Sequence, residues 1–312
     1  MKVLQIAWMS LFVAMFLVSC GPAKGPVEAG DGGTHEPGVA MTTFYPLTYF
    51  AQRIAGDSVE VACPVPSDAD PSLWQPGAEA IRAFQKAQVI FINGATFEKW
   101  VPTAPLPRSR IVDTTAGFKD ELLRYKNATT HSHGPAGKHS HEGVDGHTWL
   151  DPVQALAQAR AVRDGLKRAY PDQAAAFDAG FASLEKDLKA LDASLMSLTT
   201  EMEGVTIIAT HPAYNYLARR YGWNLTNVSI IPDEVMTPSE IDALKAKLSD
   251  VGGTHIMLWE MVPDARNTDL LEKSFDATSV VYNPCETPTE EGDFMERMRG
   301  NVDRLAQAVS GG

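Results

Sequence analysis

The sequence predicts an α/β protein of two similar lobes, each a parallel sheet flanked by helices, joined by one long rigid helix with a cleft between the lobes. Three observations carry this expectation. Short β-rich runs alternate with helical stretches, the same alternation recurs after residue 202, and between the halves apolar residues repeat at helical spacing without a break. The 312 residues are 44% hydrophobic and 21% charged, enough for two compact domains rather than one.

At the start, Met1-Lys2 leads into a mostly apolar run that ends at Leu17-Val18-Ser19-Cys20. This is the pattern of a secretory signal over residues 1–19, and the run falls short of the roughly 20 apolar residues that span a bilayer. Leu17-Val18-Ser19-Cys20 also resembles the lipobox of bacterial lipoproteins, which would leave Cys20 lipidated. Residues 20–38, rich in Gly, Pro and acids, read as a flexible tether.

The first lobe is expected over 39–170. Strands are predicted at 39–44, 59–64, 88–93 and 111–113, and helices at 46–55 and 76–86. Residues 125–146 are polar and aperiodic, and are expected to form a mobile loop carrying His131, His133, His139 and His141. Asp151-Pro152 then opens a helix to about residue 169, because Asp accepts the free N–H groups of a first turn and Pro fits there. The linking helix is predicted over 171–201, with Phe177, Phe181, Leu184, Leu188, Leu191 and Leu195 on one face. The second lobe, 202–312, should carry strands at 205–209, 227–231, 255–259 and 279–282. Its helices are expected near 212–221, 237–250, 264–274 and 293–310. Ligands of such sheets bind beyond the carboxyl ends of the strands, so chemistry is sought there.

His147 and His211 both fall at such ends, one in each half, and neutral imidazole is the commonest protein ligand for zinc. The balance of 27 basic against 39 acidic side chains, a net −12, disfavours nucleic acid and anionic surfaces and is compatible with attracting cations. No H-E-x-x-H or comparable motif supports a zinc hydrolase, so no enzyme is expected.

Thr42-Thr43-Phe44-Tyr45-Pro46-Leu47, the run Ile92 to Trp100, His147-Thr148-Trp149-Leu150-Asp151-Pro152, His211-Pro212-Ala213-Tyr214, Leu258-Trp259-Glu260 and Gly292-Asp293-Phe294-Met295 occur in this order. Together they resemble successive motifs of the zinc/manganese ABC-transporter solute-binding proteins, bacterial solute-binding protein family 9, of which ZnuA-like members carry a histidine-rich loop. The resemblance implies two α/β lobes on a rigid helix, a bound metal ion, and delivery of that ion to an ABC permease of the membrane. It further implies an exported, lipid-anchored monomer facing the periplasm or the outside, with zinc the expected ion and manganese or another divalent ion less so.

The family supplies four ligands, and His147 and His211 match two of them. The first motif reads Asp70-Pro71-Ser72 here, placing serine where the family has histidine, and Asn283 takes the place of the late aspartate. The remaining donors are expected among Asp68, Asp70, Glu260, Asn283, Cys285 and the loop, with Glu260 better suited to orienting a histidine than to ligation. Cys63 and Cys285 are open to three readings: ordinary buried thiols, a disulfide, or thiolate ligands. His255, at the opposite end of its strand, is structural. The departures at Ser72 and Asn283 leave a second possibility, a divergent lipoprotein that no longer transports metal and serves in adhesion or as a metal chaperone.

Overall fold

The computed structural model describes residues 38–125, 129–132, 138–141, 143–249 and 252–311, with 129–132 and 138–141 as backbone alone. The expected signal peptide, Cys20 and the tether up to residue 37 lie outside the described residues, as does His133.

The first lobe contains β1 (Ala40–Thr42), α1 (Tyr45–Ala55), β2 (Val61–Ala62), α2 (Ala78–Lys86), β3 (Val89–Ile92) and β4 (Ile111–Asp113). Then follow β5 (Thr129–Ser132), β6 (Lys138–His141) and α3 (Pro152–Ala169), and α4 (Ala174–Ser197) leads out of the lobe. The second lobe contains β7 (Val205–Ala209), α5 (Asn215–Tyr221), β8 (Asn224–Asn227), α6 (Pro238–Leu248), β9 (Thr254–Trp259), α7 (Ala265–Phe275), β10 (Ala277–Val281) and α8 (Phe294–Ser310).

The two sheets share one topology. The first runs β2-β1-β3-β4 and the second β8-β7-β9-β10, every pairing parallel. Chain order therefore reverses between β1 and β3 in one lobe and between β7 and β9 in the other, and a crevice opens at the carboxyl ends at such a reversal. The two-lobed expectation is borne out.

The stripe Phe177, Phe181, Leu184, Leu188, Leu191 and Leu195 on α4 is buried throughout and joins a core that contains Phe50 and Ile54 of α1, Leu217 of α5 and Leu305 of α8. The helix thus packs on both lobes, and at Gly180 an added Cβ would sit 2.4 Å from the Ile54 carbonyl oxygen, so α1 and α4 approach with no side chain between them. Tyr49 and Phe50 of the first lobe each meet Phe294 of the second with ring centroids 5.4 Å apart. Asp187 of α4 also pairs with Arg53 at 2.8 Å and Arg299 at 3.0 Å, but these half-exposed pairs contribute at most about 1 kcal/mol each. Apolar burial, not ion pairing, therefore holds the lobes together.

Several elements differ from expectation. α4 has 24 residues and spans about 36 Å, shorter than 171–201, because past Leu198 the chain leaves the helix in turns that end at Gly204, φ +78°. β8 forms three residues earlier than expected: the apolar run after Asn227 leaves the sheet once Val228 N–H has bonded Ala209 C=O, and Val228 and Ile230 then fill the outer core under α6. The stretch expected as a loop contains an antiparallel pair, β5 with β6, in which His131 stands opposite His139.

Candidate metal centre

The centre is assembled from four chain segments, the fourth of which follows β10 and carries Glu286. His211 lies two residues beyond β7 and Glu260 one residue beyond β9, on the two strands that flank the reversal point of the second sheet. His147 belongs to the segment before α3 in the first lobe. It is placed by Asn93 at the end of β3, whose Nδ2 donates to the Gly146 carbonyl at 2.9 Å. Asn93 is itself fixed by the buried Glu98, whose carboxylate accepts from Asn93 N–H at 2.6 Å, Gly94 N–H at 3.1 Å and Thr43 Oγ1 at 2.5 Å. Those bonds close a turn in which Gly94, Ala95 and Thr96 all have positive φ, of which only the first is free for a residue without a Cβ.

His147 Nε2 lies 3.2 Å from His211 Nε2 and 3.2 Å from Glu286 Oε1. One donor atom from each of these three residues fits within a mutual span of 4.8 Å, and both histidines are buried. A tetrahedral zinc with bonds of 2.0–2.1 Å separates two nitrogens by about 3.3 Å, so the imidazole spacing matches such an ion. Behind each ring stands a carboxylate: Asp145 Oδ1 is 2.8 Å from His147 Nδ1, and Glu260 Oε2 is 3.1 Å from His211 Nδ1. At His147 a proton held at Nδ1 by Asp145 leaves Nε2 as the lone-pair donor, at His211 Glu260 stands at ion-pair distance from Nδ1, and both Nε2 atoms face the shared space.

Burial of the His147 ring opposes a positive charge, but hydrogen bonds that the imidazolium donates to Asp145 and Glu286 outweigh it and raise the pKa of the ring above its ordinary value. A metal ion therefore competes with a proton at this nitrogen, and binding should release one.

Glu286 was not among the sequence candidates. The strand-end position, Asn283, serves another purpose: its Oδ1 accepts from Cys285 N–H at 2.7 Å and its backbone is held by Asn301 at 3.0 and 2.8 Å. This turn puts Cys285 at φ +61° and delivers Glu286, three residues on, to His147. Trp149 fixes the same segment from the first lobe, its Nε1 donating to the Pro284 carbonyl at 2.7 Å. The sequence contained a signal for Asp145, two residues before His147, but none that separated Glu286 from its acidic neighbours.

The other candidates fall outside the three-donor cluster. Asp68 and Asp70 line a cavity of about 320 Å³ at the cleft, with Glu260, Asn283 and Glu286 on its opposite wall. Asp70 Oδ1 accepts from Ser72 N–H at 2.8 Å and Ser72 Oγ at 2.7 Å, so both residues shape their own turn. Cys63 and Cys285 are free thiols, not a disulfide. Burial pushes the Cys285 thiol up to about 12, and its Sγ donates to the Asn283 carbonyl at 3.4 Å, the state of a protonated core thiol. Burial raises Cys63 as well. His255 Nδ1 lies 3.0 Å from the Phe275 carbonyl at the far end of the second sheet. The side chains of His131, His139 and His141 lie outside the described residues.

The fold and site together define a two-lobed α/β protein with a metal-donor cluster in its interlobe cleft. Solved structures share this fold. The metal-dependent lipoprotein YcdH from Bacillus subtilis aligns with a TM-score of 0.74 at 23% identity, covering 86% of this chain and 98% of its own. Zn(II)-bound AdcA from Streptococcus pneumoniae aligns with a TM-score of 0.73 at 25% identity, covering 87% and 57%. In sequence, the zinc-binding lipoprotein AdcA of Streptococcus pneumoniae is 29% identical over 320 residues, which cover 99% of this chain and 61% of AdcA, so the chain spans about three-fifths of that relative. The high-affinity zinc uptake system protein ZnuA of Bacillus subtilis is 26% identical over 316 residues, covering 97% and 98%. The family model for the zinc-uptake complex component A, periplasmic, matches residues 40–308, and the chain belongs to this ZnuA family.

Proposed function

We propose that the chain is a non-enzymatic receptor that binds one zinc ion between its lobes through His147, His211 and Glu286 and delivers it to an ABC importer of the membrane. The observation that carries this is the convergence of two imidazole Nε2 atoms and one carboxylate within 4.8 Å, each histidine oriented by its own acid. Two nitrogens and one oxygen suit zinc better than manganese, which prefers carboxylate, carbonyl and water. Membership of the zinc-uptake family, and similarity to the zinc-binding lipoprotein AdcA and the high-affinity zinc uptake protein ZnuA, support the same ion. Export and anchoring through a lipidated Cys20 complete the proposal, as do a monomeric state and capture of zinc from solution by His131, His133, His139 and His141. No helix of the described residues is long and apolar enough to cross a membrane.

Adhesion or chaperone activity without transport was motivated by the departures at Ser72 and Asn283. Glu286 supplies the anionic donor that Asn283 cannot, so that motive weakens. The test is a competition titration of the purified chain, stripped of metal, against a chromophoric zinc chelator. One saturable site, lost in the His147→Ala, His211→Ala double variant, is the expected result. The absence of saturable binding, or binding unchanged in the double variant, would overturn the proposal.

A further inference from the structure

Asp145 has no solvent exposure, and each of its acceptor atoms is engaged by groups from different parts of the chain. Oδ1 takes His147 N–H at 3.0 Å, lies 2.8 Å from His147 Nδ1, and takes Tyr125 OH at 2.9 Å. Oδ2 takes Asn215 Nδ2 at 2.8 Å, and the Asp145 backbone carbonyl takes Tyr216 OH at 2.7 Å. Tyr216 OH in turn accepts Leu123 N–H at 3.0 Å, while Asn215 Oδ1 accepts Asn227 Nδ2 at 2.8 Å from the end of β8.

Asn215 and Tyr216 are the first two residues of α5, in the second lobe, four and five positions after His211. The segment that carries one histidine therefore also grips the carboxylate that orients the other. From these contacts we infer that Asn215 and Tyr216 are positioning residues: they form a latch across the lobes that holds His147 and His211 at bonding distance before an ion arrives. The inference rests on the metal-binding proposal and adds to it a source of preorganisation.

The two contacts and the ion path act as parallel struts. An ion between the two Nε2 atoms draws the lobes together, and without another tie it must also order the two segments at a cost in affinity. The Asn215–Asp145 and Tyr216–Asp145 bonds run beside that path, the first partly and the second fully buried, so the two segments are ordered in advance. Neither residue offers an atom to the ion, and neither change removes a ligand. Groups that orient metal ligands alter affinity by about 10–100-fold when lost.

The experiment uses the full purified chain with Asn215→Ala and Tyr216→Phe made separately, the second keeping the ring in place should the first fold poorly. Zinc affinity is measured by chelator competition in the parent and in a His147→Ala background. Amide hydrogen exchange of residues 143–150 is followed in the metal-free protein, and the visible absorption of the cobalt(II)-loaded protein reports ligand geometry. The latch predicts about tenfold or greater loss of zinc affinity in each variant, a weakened cobalt spectrum, faster exchange at 143–150, and no further loss once His147 is absent. Affinity within about threefold of the parent, or an equal loss in the His147→Ala background, overturns it. A parent that takes up no zinc defeats the metal proposal separately. The latch then stands or falls on exchange alone: faster exchange in Asn215→Ala supports it and unchanged exchange refutes it.

Discussion

Replacing Glu286 by glutamine removes the one carboxylate among the described residues whose oxygen shares the cluster with both imidazoles, while preserving side-chain size. Zinc held by four protein donors is worth roughly 10–16 kcal/mol near neutral pH, or about 2.5–4 kcal/mol per coordination position if divided evenly. An amide oxygen keeps a weak bond but supplies no charge, so the loss should be about 2–3 kcal/mol, or roughly 30–150-fold in Kd. Glu286 is 23% exposed in its side chain and belongs to a turn held by Asn283, Asn301 and Trp149, so the metal-free protein should fold unchanged. Chelator competition measures the affinity and circular dichroism checks the fold. A change in Kd below about threefold in a folded variant would refute the role of Glu286 as a ligand.

Three other perturbations address the surrounding structure. Glu260→Gln leaves both Nε2 donors in place but weakens the hold on His211 Nδ1, and should cost about 10–100-fold in zinc affinity by the same competition assay. Burial pushes Glu98 up to about 7 from an ordinary 4.5, so the folded protein retains a proton there that the unfolded chain has lost. The stability this supplies is complete below about pH 4.5 and disappears as pH rises through about 7, amounting to at most about 3 kcal/mol. Thermal unfolding at pH 6 and pH 8 should show the fall, and Glu98→Gln should flatten it. Leu188→Ala, in the middle of the α4 stripe and 1% exposed, should cost about 2–5 kcal/mol in urea unfolding, whereas a loss under about 1 kcal/mol would mean that α4 does not carry the shared core.

Much of the fold was legible in the sequence because periodicity encodes burial. The α4 stripe from Phe177 to Leu195 repeats every three or four residues and could face only a core. Strand β7 was equally plain, a run of five buried residues of which four are β-branched. What failed was local. Asn224-Leu225-Thr226-Asn227 has a weaker strand pattern than the apolar residues after it, and only pairing with β7 decides which run enters the sheet. The two histidines were legible as residues of the right chemistry at strand ends. Glu286, the third donor of the proposed site, carries no such mark: the strand end falls near Asn283, whose side chain holds a turn that places the carboxylate three residues further on. Nor could Asp145 be joined to Asn215: the two are 70 residues apart, and only the packing of α5 against the first lobe brings them together.

The most direct test of the zinc site is a crystal structure of the zinc-loaded chain with anomalous data collected at the zinc edge. One peak is predicted in the interlobe cleft, about 2.0–2.2 Å from His147 Nε2, His211 Nε2 and a carboxylate oxygen of Glu286. No peak at that position at full zinc saturation, with the ion held instead at Cys63, Cys285 or the Asp68 and Asp70 turn or not bound at all, would contradict it.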